Sequence, residues 1–126
     1  MKKIVNTDQA PAPIGPYNQA TIANGFAFVS GQIALDPSTG DLVTGSIEEE
    51  TKKVMANLEA VLKAAGTDFD GVVKTTIFIR DMGQFAAINA VYGEYFQNEP
   101  PARETVEVSR LPKDVHVEIS CIAIVP

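Results

Sequence analysis

The last predicted strand, Val115–Val125, is the feature that most restricts how this chain can fold. It is apolar on both faces, because Val117, Ile119 and Cys121 alternate with Ile122 and Ile124. Two-sided apolar character recurs in Val72–Ile79, where Val73, Ile77 and Ile79 would oppose Val72 and Phe78. Strands of this kind are normally covered on both sides. We therefore predict that helices cover one face of the sheet and other copies of the chain cover the other.

Local signals place the first hairpin and the first helix. Asn24-Gly25 favours a type I′ turn between strands at Gln19–Ala23 and Phe26–Ser30, since both residues tolerate positive φ. Ser46 and Glu49 form a capping-box pattern that predicts a helix start. Apolar residues then recur at helical spacing, and Gly66 is a typical stop.

A second helix is predicted after Asp81, and Pro100-Pro101 would end it. Its apolar face would carry Phe85, Ile88, Tyr92 and Phe96. Further strands are expected at Lys3–Asn6 and Glu104–Ser109. The order β-β-β-α-β-α-β-β indicates an α+β sandwich with one mixed six-stranded sheet, and 126 residues suit a single domain over 1–126.

Charge and composition exclude several classes of function. The net charge is −6 and the basic residues are scattered, which opposes binding to phosphate backbones. The sequence contains neither a phosphate-binding glycine motif nor HExxH or CxxC, and it has one histidine and one cysteine. No run approaches the roughly 20 apolar residues of a membrane span. We expect a cytoplasmic protein that uses no metal or cofactor and has neither membrane nor nucleic-acid partners.

Arg103 and Glu118 are the strongest candidates for chemistry. Arg103 follows a Pro-Pro-Ala turn at the start of a predicted strand, and an arginine there can bind a carboxylate through two hydrogen bonds. The alternative is a surface or interface salt bridge. Glu118 lies in a strand that otherwise reads as buried, so its pKa should be raised, which suits proton transfer. Its alternative is a structural partner for an arginine.

Weaker candidates lie on the hairpin and the second helix. Gly31 permits close approach to a ligand, while Ser30 could bind substrate or only local backbone. Tyr17 could place its phenol over a cleft or simply pack. Asn89 could serve the site or remain a helix-surface amide.

Two further side chains receive no catalytic role. His116 is expected to be exposed or to hydrogen-bond at the rim of the fold. Cys121 is expected to be a small core residue.

Seven ordered stretches together resemble the RidA family, also called YjgF or reactive intermediate deaminases. They are APAPIGPY at 10–17, SGQ at 30–32, VKTTIFIRD at 73–81, Asn89 with Tyr92 and Phe96, PAR at 101–103, RLPKD at 110–114 and VEI at 117–119. The resemblance implies a chorismate-mutase-like fold and a homotrimer with an inner β-barrel, outer helices and active sites between subunits. It also implies hydrolysis of 2-imino acids, such as 2-iminobutanoate and 2-iminopropanoate, to 2-oxo acids and ammonia without a cofactor.

The resemblance assigns roles residue by residue. Arg103 would bind the substrate carboxylate, and Glu118 would activate water and manage protons. Ser30 and Tyr17 would shape the pocket, with Tyr17 contributed by the neighbouring subunit. Asn89 would hydrogen-bond nearby, and backbone groups around Gly31 and Thr105 would hold the imine end. Many deaminating relatives have cysteine where this chain has Thr105, which puts the substrate preference in question.

Two other functions fit parts of the pattern. One is a trimer that binds 2-oxo acids through Arg103 and regulates amino-acid metabolism without catalysis. The other is an RNA-directed role, described for some relatives as translation inhibition or ribonuclease activity. The acidic charge and the absence of a basic stripe argue against the second.

Overall fold

The computed structural model describes residues 1–126 and contains six strands and two α-helices. The elements are β1 (Lys3–Val5), β2 (Ala20–Ala23), β3 (Phe26–Gln32), α1 (Ile47–Ala65), β4 (Val72–Ile79), α2 (Phe85–Gly93), β5 (Ala102–Glu107) and β6 (Val117–Ile124). They occur in the predicted order. Short 3₁₀ turns cover Phe69–Gly71, Met82–Gln84 and Pro112–Asp114.

All six strands form one mixed sheet in the order β1-β2-β3-β6-β4-β5. The β4–β5 pair is parallel and the remaining pairs are antiparallel. The predicted α+β class with a mixed six-stranded sheet is therefore confirmed. The two helices pack on one face, where α1 and α2 residues join the buried strand residues in one core.

The local signals work as predicted at the hairpin and at α1. Asn24 and Gly25 have φ of 51° and 79°, as a type I′ turn requires. The Ser46 side chain accepts a hydrogen bond from the Glu49 amide, and Gly66 ends the helix at φ 89°.

The second helix is shorter than predicted, because it ends at Gly93 rather than before Pro100-Pro101. The amides of Glu94, Tyr95 and Phe96 bond three residues back, so the chain tightens into turns. Phe96 still packs on Tyr92, with ring centroids 4.8 Å apart. Phe96 therefore packs on the aromatic residues of α2 from a turn, and its apolar side chain does not indicate a longer helix.

The assignment of Val72 and Val73 to faces was wrong. A register shift between Val72 and Lys74 inserts a bulge in β4. Val72 is consequently buried on the helix-covered face with Ile77 and Ile79, whereas Val73 is exposed. The bulge adds one residue near the start of β4. Counting alternate residues back from Ile79 therefore assigns Val72 and Val73 to the wrong faces.

The face of the sheet away from the helices remains uncovered in the single chain and is called the open face below. Phe28 of β3 keeps 46% of its surface exposed and Ile124 of β6 keeps 47%. Phe26 and Val106 are also exposed. Apolar side chains are therefore grouped on this face, as the two-sided strands predicted.

Candidate active site

Arg103 is the second residue of β5 and is oriented by α2. Its Nη1 donates to Oδ1 of Asn89 at 2.6 Å. The guanidinium also lies over the rings of Tyr92 and Phe85, 5.0 and 5.5 Å from their centroids. Cation–π contacts of this kind hold the planar group in one orientation. Within the chain Arg103 forms no salt bridge, so its remaining donors are available to an anion.

A cleft of about 370 Å³ adjoins this guanidinium. Tyr92, Phe96, Pro100 and Pro101 line it together with Arg103. The rigid proline pair forms one wall and aromatic rings form another. A small anion could therefore approach Arg103 beside an apolar surface.

Thr105 lies two positions after Arg103 in β5, so both side chains project from the same face of the strand. Its Oγ1 is buried and has no hydrogen-bond partner in the chain. A buried unpaired hydroxyl normally costs about 1–3 kcal/mol. The folded protein would therefore be stabilised by a bound group that hydrogen-bonds this hydroxyl, or by an isosteric apolar side chain in place of Thr105.

Glu118 is the second residue of β6 and lies on the open face. Burial of its carboxyl raises its pKa, as the sequence predicted. It forms no salt bridge within the chain, so the alternative reading as a partner for an arginine finds no support there. A carboxyl group with a raised pKa is suited to accept and return a proton.

Gly31 explains how the backbone of β3 approaches this carboxyl so closely. A Cβ atom added at Gly31 would lie 2.9 Å from Cδ and 3.0 Å from Cγ of Glu118. Real Cβ atoms essentially never lie closer than 3.0 Å to a heavy atom outside their own residue and its two chain neighbours. Glycine is therefore required at this position for Glu118 to keep its place.

Tyr17 and Ser30 line a second cleft, of about 390 Å³, with Phe28. The hydroxyl of Ser30 donates to the Asn18 carbonyl at 2.7 Å, which is the local role considered as its alternative. Its lone pairs remain able to accept a hydrogen bond. Tyr17 is half-exposed, so its ring is accessible to another molecule.

Arg103 and Glu118 lie on opposite faces of the sheet within one chain. Arg103 pairs in register with Thr75, whose side chain is buried against Tyr92 beneath α2. Glu118 pairs with Phe78, three residues further along β4. Because side chains alternate along a strand, an odd separation places the two pairs on opposite faces. The single chain thus groups Arg103 with Asn89 and Glu118 with Gly31, but does not bring the two groups together.

One buried carboxylate was missed by the sequence reading. Glu50 is 1% exposed and bonds both the backbone and the ring of His116. No role was predicted for Glu50 from the sequence. The available signal was spacing, since Glu50 precedes Val54 by four residues and so belongs to the apolar stripe of α1.

Three further features concern the cysteine, metal binding and membrane spans. Cys121 is buried in the core, and burial raises the pKa of its thiol to about 12. No group of three or more His, Cys, Asp or Glu side chains is placed to hold a metal ion. None of the helices has the length and apolar character needed to cross a bilayer.

Comparison with known proteins identifies the family. The model of the family described as endoribonuclease L-PSP matches residues 7–125. A RutC family protein of Synechocystis is 58% identical, with 98% of this chain and 97% of the relative covered. The mouse protein named 2-iminobutanoate/2-iminopropanoate deaminase is 47% identical, with 98% and 92% covered.

A solved structure gives the same result for the fold. A Rid family protein of unknown function from Yersinia pestis superposes with a TM-score of 0.97 at 49% identity, covering 99% of this chain and all of the other. The match extends over every element described above, including β5, β6 and the loop before β2. The chain therefore belongs to the RidA/YjgF family, whose family model is described as endoribonuclease L-PSP.

Proposed function

We propose that this protein hydrolyses 2-imino acids, including 2-iminobutanoate and 2-iminopropanoate, to 2-oxo acids and ammonia. The proposal rests on two ionisable side chains that have no salt-bridge partner in the chain. Arg103 is held in one orientation without a carboxylate, and burial raises the pKa of the Glu118 carboxyl. The name of the mouse relative points to the same reaction.

The chemistry follows from what each group can do. Arg103 binds the substrate carboxylate through two parallel hydrogen bonds, while Asn89 keeps the guanidinium in place. Ionised Glu118 accepts a proton from water as the water oxygen bonds to C2 of the protonated imine. The C=N π electrons move to nitrogen. Glu118 then returns the proton to nitrogen, the C–N bond breaks with its electron pair leaving on ammonia, and Glu118 accepts the hydroxyl proton as the carbonyl forms. A protonated imine is already electrophilic, so no cofactor takes part.

The placement of the two groups supports a site that is shared between two chains. Arg103 and Glu118 face opposite sides of one sheet, so we propose that Arg103 of one subunit meets Glu118 of the next. Covering the open face with neighbouring copies would bury Phe28 and Ile124 and give a homotrimer. In this arrangement Ser30 and Tyr17, which line one cleft of the same chain, shape the pocket from the subunit that supplies Glu118, and backbone groups at Gly31 and Thr105 hold the imine end.

The test generates 2-iminobutanoate with a threonine dehydratase and follows its capture by semicarbazide. The wild-type protein should suppress capture, whereas Arg103→Ala and Glu118→Ala should not while retaining their oligomeric state. A wild type without effect on capture would overturn the proposal for this substrate.

Mixed assemblies test the sharing of the site between chains. Arg103→Ala and Glu118→Gln chains are unfolded together and refolded as hybrids. Random mixing should restore about a quarter of the wild-type activity, since each mixed cyclic trimer contains one intact pairing. Hybrids as inactive as either parent would show that the two groups act within one chain.

A non-catalytic ligand sensor is the second candidate. The Arg103–Asn89 contact is complete within one chain, so anion binding there does not depend on Glu118. This candidate predicts that the wild type binds 2-oxobutanoate without suppressing semicarbazide capture, and that Glu118→Ala leaves binding unchanged. Calorimetry of 2-oxobutanoate binding to both proteins separates the two functions.

The description of the family model also raises RNA cleavage. The net charge of −6 opposes phosphate-backbone binding, and the single histidine is held by Glu50. We therefore propose imine hydrolysis rather than RNA cleavage.

A further inference from the structure

Glu50 is a buried carboxylate that the proposed reaction leaves without a role. It lies in the first turn of α1 and is 1% exposed. Its Oε2 accepts hydrogen bonds from the amides of His116 at 2.7 Å and Val117 at 3.2 Å. Its Oε1 lies 2.7 Å from Nδ1 of His116. Both oxygens therefore bind the segment that leads into β6.

This arrangement is favourable for a buried negative charge. The N-terminal end of a helix carries partial positive charge, and two amides and an imidazole add hydrogen bonds. Removing the carboxylate would leave the amides of His116 and Val117 without their hydrogen-bond acceptor. Glu50 thus connects α1 firmly to the start of β6.

The segment held by Glu50 immediately precedes Glu118. On one side, β4 pairs with this end of β6 at Val117 and Glu118. On the other side, the β3 ladder is interrupted by a register shift after Val29 and resumes at Ile119. The backbone before Glu118 therefore lacks regular support from β3, and the bonds to Glu50 hold it from the side of α1.

We propose that Glu50 is a positioning residue that sets the place of the Glu118 carboxyl through the backbone of His116 and Val117. The proposal rests on the role of Glu118 in the proposed function. The position is closely defined, because the Glu118 carboxyl occupies the space that a Cβ atom at position 31 would fill and so packs directly against the β3 backbone. Arg103 is held separately by α2, so substrate binding should be independent of Glu50.

The kinetic test compares Glu50→Ala, Glu50→Gln and the control Glu48→Ala in the semicarbazide assay. Glu48 lies in the same helical turn and is exposed, so its substitution removes the same charge without these contacts. Glu50→Ala should lower kcat by on the order of 10- to 100-fold, as expected for a misplacement approaching 1 Å, while KM stays near the wild-type value. Glu50→Gln keeps an accepting oxygen for the amides and should recover most of kcat. Wild-type kcat in Glu50→Ala, or equal losses in both variants, would overturn the proposal.

A second readout does not depend on catalysis. The carboxyl ¹³C shift of Glu118 is titrated in the wild type and the variants. In Glu50→Ala the carboxyl should move into a wetter environment and titrate at lower pH, and Glu50→Gln should restore the wild-type midpoint. An unchanged midpoint in Glu50→Ala refutes positioning even if the wild type proves inactive towards imines. If Glu50→Ala does not assemble, His116→Ala removes only the Nδ1 contact and should give a smaller shift in the same direction.

Discussion

Replacing Gly31 by alanine is the most direct way to displace Glu118 without altering its chemistry. The added Cβ would lie 2.9 Å from Cδ of Glu118, whereas ordinary van der Waals contact begins at 3.4 Å. The carboxyl carbon must therefore retreat by about 0.5 Å, and Oε2, which would lie nearer still, must move further. The backbone of Gly31 needs no positive φ, so the variant should fold normally.

The magnitude follows from the sensitivity of catalysis to geometry. A displacement approaching 1 Å at a reacting group can cost on the order of 100-fold in rate. That corresponds to about 2.7 kcal/mol in transition-state stabilisation. We expect Gly31→Ala to lower kcat by between about 10- and 100-fold and to change thermal stability little, because the clash involves the end of one side chain.

The assay is the suppression of semicarbazide capture, with Gly45→Ala as the matched control. A Cβ at Gly45 also meets a carboxylate, lying 2.9 Å from Oε2 of Glu49, but Gly45 is exposed and lies just before α1. That variant should keep wild-type activity. Full activity in Gly31→Ala, alongside inactive Glu118→Ala, would refute the argument that Glu118 has a fixed place against β3.

Four further predictions test the remaining assignments. The acid limb of the pH–kcat profile should have its midpoint above about 4.3, the ordinary value for glutamate, because burial raises the pKa of Glu118 and activity needs its ionised form, which is lost as pH falls. Thr105→Val should raise the free energy of unfolding by about 1 kcal/mol in thermal denaturation, since it removes an unpaired buried hydroxyl, and a decrease would reveal a partner for Oγ1 in the assembly. Cys121 should react with a thiol reagent at pH 8 only as fast as the protein unfolds, because its pKa is about 12 and it is buried, and rapid labelling of the native protein would contradict this. If the proposed trimer covers the open face, Ile124→Asp should give monomers in sedimentation and abolish activity, and a variant that still sediments as a trimer would show that this face is not the interface.

Short-range signals predicted most of the fold. The positive-φ pair Asn24-Gly25 and the Ser46 cap need only a few neighbouring residues, and both were read correctly from sequence. The end of α2 could not be read in this way. Phe96 continues the helical spacing, yet it reaches the same aromatic cluster from a turn, where it packs on Phe69 with centroids 5.3 Å apart. Spacing alone cannot distinguish one more helical turn from a loop that folds back onto the same cluster.

Only some of the residues in and around the candidate site could be predicted, for a similar reason. Arg103 and Glu118 were chosen from residue type and local setting, and their roles stay predictions. Asn89, also a candidate, accepts a hydrogen bond from Arg103. Glu50 and His116 are 66 residues apart, and neither is unusual in its own segment. Only the packing of α1 against the start of β6 makes them partners. Contacts between residues that are far apart in the sequence and carry no local signal therefore could not be predicted from the sequence.

The pKa of Glu118 links the proposed chemistry to the proposed assembly. Covering the open face would remove more water from the carboxyl and raise its pKa further, whereas an arginine within about 4–6 Å would lower it by roughly 1–3 units. The two effects have opposite signs, so the acid limb of the pH profile reports which one prevails. A midpoint well above that of ordinary glutamate would mean that the neighbouring Arg103 is engaged with the substrate carboxylate rather than with Glu118. A midpoint well below it would mean that the two residues form an ion pair, and Glu118 would then be too weak a base for the step assigned to it.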